Sequence, residues 1–95
     1  MFKISTINTR LKCTLVVEGT LVGPWVEELR STFDSASQAL GERELVIDLS
    51  NLTAISSEGE DAIFDLMKKG AKFSRAGLLT KHMLKQLERK CTHQR

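Results

Sequence analysis

The chain has 95 residues, 41% of them apolar and 27% charged, with a formal net charge of +2. Those values describe one ordinary globular domain, residues 1–95, with room for a modest core. Six glycines and one proline are too few for a long disordered region, and no run of about 18 apolar residues exists to cross a bilayer.

In chain order, Phe2, Ile4 and Thr6 alternate weakly and predict a first strand over 2–8. Residues 12–18 predict a second, with Leu15, Val16 and Val17 between polar flanks and Gly19 as punctuation. Gly23-Pro24 then changes the period. Proline suits a first helical turn, where its missing N–H costs nothing. Trp25, Val26, Leu29, Phe33, Ala36 and Leu40 follow at spacings of three and four and mark the apolar stripe of a helix, which Gly41 stops. Residues 44–49, Glu-Leu-Val-Ile-Asp-Leu, read as a central parallel strand. Strand, helix and strand make a right-handed crossover unit.

Residues 50–57 are expected as a connection, with Ser50-Asn51 as turn chemistry. A second helix follows over 58–69, with Ala62, Ile63, Leu66 and Met67 as its apolar face. Ser57 and Glu60 fit a capping box, and Glu58, Glu60 and Asp61 supply acids to the first turn. A short strand is expected over 71–76 and a third helix over 79–90, with Leu79, Met83, Leu84 and Leu87 inward. The element order β-β-α-β-α-β-α implies a mostly parallel sheet covered by helices.

Catalytic constellations are absent from the sequence pattern. Neither His82 nor His93 neighbours a serine or cysteine in a nucleophile motif, and the scattered glycines form no phosphate cradle. The cysteines are isolated: Cys13 reads as a small core residue and Cys91 as a helix-end residue, so no metal site and no cofactor are expected. From Lys68 onward nine Lys/Arg face a single acid, Glu88. Without aromatic residues between the lysines this reads as a solvated helix face, and no nucleic-acid partner is expected. The first residues carry no signal-peptide h-region, so the expected location is cytoplasmic.

One segment carries a family resemblance. Val46-Ile47-Asp48-Leu49-Ser50 followed by Ser56-Ser57-Glu58-Gly59 at a helix start resembles the core motif of STAS domains, the anti-sigma-factor-antagonist-like family. There a Leu-Asp-Leu-Ser strand leads to Asp-Ser-Ser-Gly or Asp-Ser-Thr-Gly. Gly19-Thr20-Leu21 resembles the family's Gly-x-Leu, and the resemblance covers roughly residues 12–90. It implies an α/β fold with a four- to five-stranded mixed, mostly parallel sheet and about three helices.

Aligned on Gly59, Ser56 falls at the family's aspartate, Ser57 at its first serine and Glu58 at the position phosphorylated in anti-anti-sigma members. A shift by one residue would instead put Ser57 at the acceptor, with the helix face out of register. The family often carries an aspartate after its second strand, where this chain has Val22. The resemblance implies a non-catalytic, protein-binding regulatory module with a permanent negative charge at Glu58. Its partner would be an anti-sigma factor or kinase-like ATPase. The binding tip would span residues 20–25 and 54–61: Leu21, Val22, Pro24 and Trp25 beside Ser56, Ser57, Glu58, Gly59, Glu60 and Asp61. Trp25 is either an anchor for that partner or, the favoured reading, buried against the sheet. Two other readings stay open: an accessory subunit of a membrane lipid-transport assembly, bound to transporter subunits, and a nucleotide-binding domain, against which the three acids argue.

Overall fold

The computed structural model describes residues 1–74 and 84–90. Its elements are β1 (Phe2–Asn8), β2 (Lys12–Leu21), α1 (Pro24–Gln38), β3 (Glu44–Ile55), α2 (Ser57–Lys68) and β4 (Lys72–Ser74). Residues 84–90 form a further helical segment, α3. The expectations for 75–83 and 91–95, including Leu79, His82, Met83, Cys91 and His93, lie outside the described residues.

The four strands form one sheet in the order β1-β2-β3-β4. The hairpin pair β1–β2 is antiparallel and the other two pairs are parallel, as the element order implies. Thr9 closes the hairpin. Its N–H donates to the Lys12 carbonyl at 2.9 Å, and its hydroxyl receives the Lys12 N–H at 3.1 Å.

Burial in β2 alternates strictly: Cys13, Leu15, Val17, Gly19 and Leu21 are buried, and the residues between them are half-buried. β3 follows the same rule, with Leu45, Ile47 and Leu49 inside and Val46, Asp48 and Ser50 half-buried. The strand read as a central parallel strand lies between β2 and β4, with one face buried and the other half-buried. A single core cluster joins those inward residues to Val26, Leu29 and Phe33 of α1, Ala62, Ile63 and Leu66 of α2, and Leu84 and Leu87 of α3. All three helices thus cover the same face of the sheet, and period-two burial is what a one-sided sheet produces.

β3 runs to Ile55, well past the expected turn at Ser50-Asn51. The Asp48 carboxylate accepts both the N–H and the hydroxyl of Ser50. At that point the register with β2 shifts, from Val16↔Asp48 to Glu18↔Asn51. The turn-forming pair marks a bulge inside a continuing strand.

Two further features brace the fold, one at the end of α1 and one beside β1. Arg43, just beyond the helix, donates to the Leu40 and Ala39 carbonyls at 3.0 and 2.9 Å and to the Asn8 side chain at 2.8 Å. It supplies the cation that the last turn itself lacks. At the other end of the sheet Gly19 has φ 93°, and a Cβ there would stand 2.1 Å from the Met1 carbonyl oxygen. Only glycine lets the chain start pass so close, and the Met1 carbonyl then accepts the Thr20 N–H at 2.8 Å.

Candidate functional site

The residues singled out in the sequence converge at the C-terminal ends of β2 and β3. The Leu21 carbonyl is the joint. It accepts the Ser56 N–H at 3.1 Å and the Ser56 hydroxyl at 3.4 Å. Ser56, not Ser57, is the N-cap of α2: its backbone is extended (φ −87°, ψ 172°) and its oxygen accepts the Gly59 N–H at 3.1 Å. The Ser57–Glu60 capping box does not form. With Ser56 at the cap, the residue that would complete the box is Gly59, which has no side chain to reach back. Ser57 becomes the first helical residue and stands exposed, and Asp61 falls beyond the first turn.

Why Gly59 occupies that position is steric. A Cβ there would lie 2.7 Å from the Leu21 carbonyl oxygen and 2.7 Å from Ile55 Cγ1. Gly59, Ala62, Ile63 and Leu66 form the buried stripe of α2, and the stripe's first member must be small because the helix begins directly on the end of β2. Replacing Ser56 by alanine removes the cap. The expected loss is about 1 kcal/mol, read as a lower urea midpoint at unchanged slope, with Ser56→Asp retaining wild-type stability. A midpoint unmoved in Ser56→Ala would refute the capping role.

The two long helices run side by side in the same direction. Arg30 on α1 donates to Asp65 on α2 at 2.9 Å, and Lys69 on α2 lies 4.0 Å from Asp34 on α1. Both pairs, like Leu21 and Ser56, are separated by 35 residues (65 − 30, 69 − 34, 56 − 21). A constant offset means parallel axes, and the same offset sets Glu58 level with Gly23. The start of α1 and the start of α2 therefore share one tip. Two positive dipole ends meet there, and Glu27 on α1 and Glu58 and Glu60 on α2 stand in the first turns opposite them.

At this tip Pro24, Ser57, Glu58, Glu60 and Asp61 are exposed, and Val22 and Ser56 are half-buried. Leu21, read as part of the partner surface, has a fully buried side chain and offers only its carbonyl. Trp25, for which burial was favoured, is 41% exposed. It stacks on Phe2 of β1, with ring centroids 5.4 Å apart and planes 10° from parallel. The sequence reading missed Phe2 and the two interhelical ion pairs, because no local pattern signals a contact 23 or 35 residues away.

Among the described residues no cluster of three or more His, Cys, Asp or Glu is placed to hold a metal, and no helix is long and apolar enough to cross a membrane. The tip is an acid-edged surface on which the Ser56 hydroxyl and the Gly59 N–H are engaged in holding the helix start.

By sequence the chain matches no family model and no curated protein. Its structure is similar to that of the anti-sigma factor antagonist SpoIIAA in its unphosphorylated form, with a TM-score of 0.57 at 14% identity, over 93% of this chain and 98% of that one. It is also similar to an antisigma-factor antagonist STAS domain from Rhodobacter sphaeroides, with a TM-score of 0.56 at 20% identity, over 84% of this chain and 89% of the other. The four-stranded mixed sheet with its helices on one face is therefore a STAS-like fold, the fold of anti-sigma factor antagonists.

Proposed function

We propose that this chain is a non-catalytic, cytoplasmic regulatory module that binds a protein partner through the tip formed by residues 22–25 and 56–61. Glu58 is its central charge. The observation that carries the reading is Glu58 itself, an exposed carboxylate in the first turn of α2, on the one tip where both long helices begin. A phosphoserine at a helix start brings close to two negative charges. A glutamate brings one, permanently, and the helix dipole favours either. Ser56 spends its hydroxyl on the cap, which leaves Ser57 as the exposed hydroxyl beside it. The partner class that fits a STAS-like fold is an anti-sigma factor or a kinase-like ATPase, and no kinase would be needed to charge the tip.

The test is affinity capture from the lysate of the source organism, with wild-type, Glu58→Lys and Glu58→Asp baits. Wild type and Glu58→Asp should retain one partner of that class, and Glu58→Lys should lose it by tenfold or more, while all three unfold at the same temperature. Unchanged capture by Glu58→Lys would sink the role of Glu58. Recovery of transporter subunits would move the protein to an accessory role in a transport assembly.

A further inference from the structure

The exposed large apolar side chains of the described residues divide between the two ends of the sheet. Met1 and Trp25 belong to the tip, where the Met1 carbonyl accepts the Thr20 N–H. Leu11, 80% exposed, and Ile7, 53% exposed, belong to the β1–β2 hairpin at the opposite end.

The position of Leu11 is unusual. Thr9-Arg10-Leu11-Lys12 is a tight turn, and the two central residues of such turns are commonly glycine, asparagine or aspartate. Here they are an arginine and a leucine, both exposed. The backbone of the turn is fixed. The N–H and hydroxyl of Thr9 donate to the Lys12 carbonyl at 2.9 and 3.0 Å, and the Leu11 carbonyl accepts the Glu44 N–H at 3.0 Å. Neither Leu11 nor Ile7 belongs to the core cluster or to the side chains packed against it, so the fold itself makes no use of either.

Positive charge gathers at the same end. Arg10 and Lys12 flank Leu11, Lys68 and Lys69 end α2, and Lys72 opens β4, all five exposed. The strand register brings them together: Lys12 pairs with Glu44 at the start of β3, and Lys72 with Val46 two residues on. The exposed acids here are Glu42 and Glu44, and Lys69 keeps Asp34 at 4.0 Å. Glu27, Glu58, Glu60 and Asp61 stand at the other end. The described molecule thus has an acidic tip and a basic hairpin end.

We propose that the hairpin end docks on an anionic lipid bilayer, with Leu11 as the anchor and the cations around it on the lipid headgroups. This surface is separate from the tip, and its role does not depend on the tip reading. An exposed aliphatic group framed by Lys and Arg suits such a surface: the apolar group partitions toward the acyl boundary and the cations meet the negative leaflet. Ile7 stands two residues behind Thr9, about 7 Å up the strand, and comes to headgroup level when Leu11 enters by about 5–10 Å. A fixed turn gives up little conformational freedom on insertion. A nucleic-acid backbone would use the cations and leave Leu11 idle, since stacking on bases takes aromatic rings and no described aromatic at this end is exposed. The bilayer repels the acids of the tip, so the docked molecule holds the tip away from the surface, open to a partner.

Vesicle flotation tests the docking. Wild type should float with vesicles of equal parts phosphatidylserine and phosphatidylcholine, stay behind with phosphatidylcholine alone, and be released as salt rises. Leu11→Ala should bind roughly tenfold more weakly, and the pair Arg10→Glu and Lys12→Glu roughly a hundredfold more weakly, with unfolding temperatures unchanged. In a Trp25→Phe background, the emission of Leu11→Trp should shift to the blue on phosphatidylserine vesicles. Glu58→Lys should float no less than wild type, so failure of the tip reading and failure of this one are distinguishable. A wild type that ignores phosphatidylserine vesicles at low salt overturns the proposal. So does Leu11→Ala floating like wild type, equal flotation with phosphatidylcholine alone, an unmoved Leu11→Trp emission, or tighter binding to a DNA duplex than to the vesicles at matched phosphate.

Discussion

Replacing Ile47 by alanine should destabilise the domain by about 2–5 kcal/mol. Ile47 is fully buried at the centre of the sheet, paired with Leu15 on β2 and Phe73 on β4, and it belongs to the cluster that α1, α2 and α3 all pack upon. Removing three carbons there loses the transfer free energy of the methylenes. It also leaves a cavity, because the neighbours on both sides, Leu15 and Phe73, are tied into the sheet and cannot collapse into it. A domain of this size has on the order of 5–15 kcal/mol of stability in total, so this one change removes a large share. The measurement is equilibrium urea unfolding, where the midpoint should fall sharply at unchanged slope. Ile7→Ala, on the exposed edge, should move it by less than about 0.5 kcal/mol. Equal effects at the two positions would mean that the core is not where β3 places it.

Gly59→Ala should destabilise the protein and disable the tip together. Helix propensity alone predicts the opposite sign, a gain of about 1 kcal/mol for alanine. The steric term wins. The new Cβ would sit 2.7 Å from the Leu21 carbonyl oxygen, a backbone atom that cannot swing aside. That same carbonyl receives both bonds from Ser56, so the start of α2 can move off β2 only by stretching them. Overpacking of this kind costs about 1–3 kcal/mol, which leaves a net loss of up to about 2 kcal/mol. At about 4–8 °C per kcal/mol for a domain of this length, the melting temperature should fall by several degrees. Partner capture should weaken as well, because Glu58 shifts with the helix start. A melting temperature at or above wild type would show that the helix does not rest on Leu21.

The elements differ in how they were readable, and the reason is range. β1, β2, α1 and α2 were legible because each declares itself within a few residues. Period-two burial in Cys13, Leu15 and Val17 and period-3.6 burial in Val26, Leu29 and Phe33 follow from backbone geometry alone. The Ser-Ser-Glu-Gly segment was legible as a helix start for the same reason.

What only the tertiary structure decided are matters of pairing and approach. Ser50-Asn51 carries turn chemistry in any context, and pairing with Glu18 on β2 makes it a bulge within β3. Ser56 and Ser57 are equally good caps as residues, and contact of the helix start with Leu21 selects the first. Trp25 fits an apolar stripe, and Phe2, brought alongside by the hairpin, keeps it at the edge. The sequence by itself determined the apolar faces of the elements and the approximate spans of α1 and α2, because those depend on spacing along the chain. The neighbours each element meets across 19 to 35 residues depend on chain closure, which no local spacing encodes, and it is this closure that gathers Val22, Pro24, Ser57 and Glu58 into one surface.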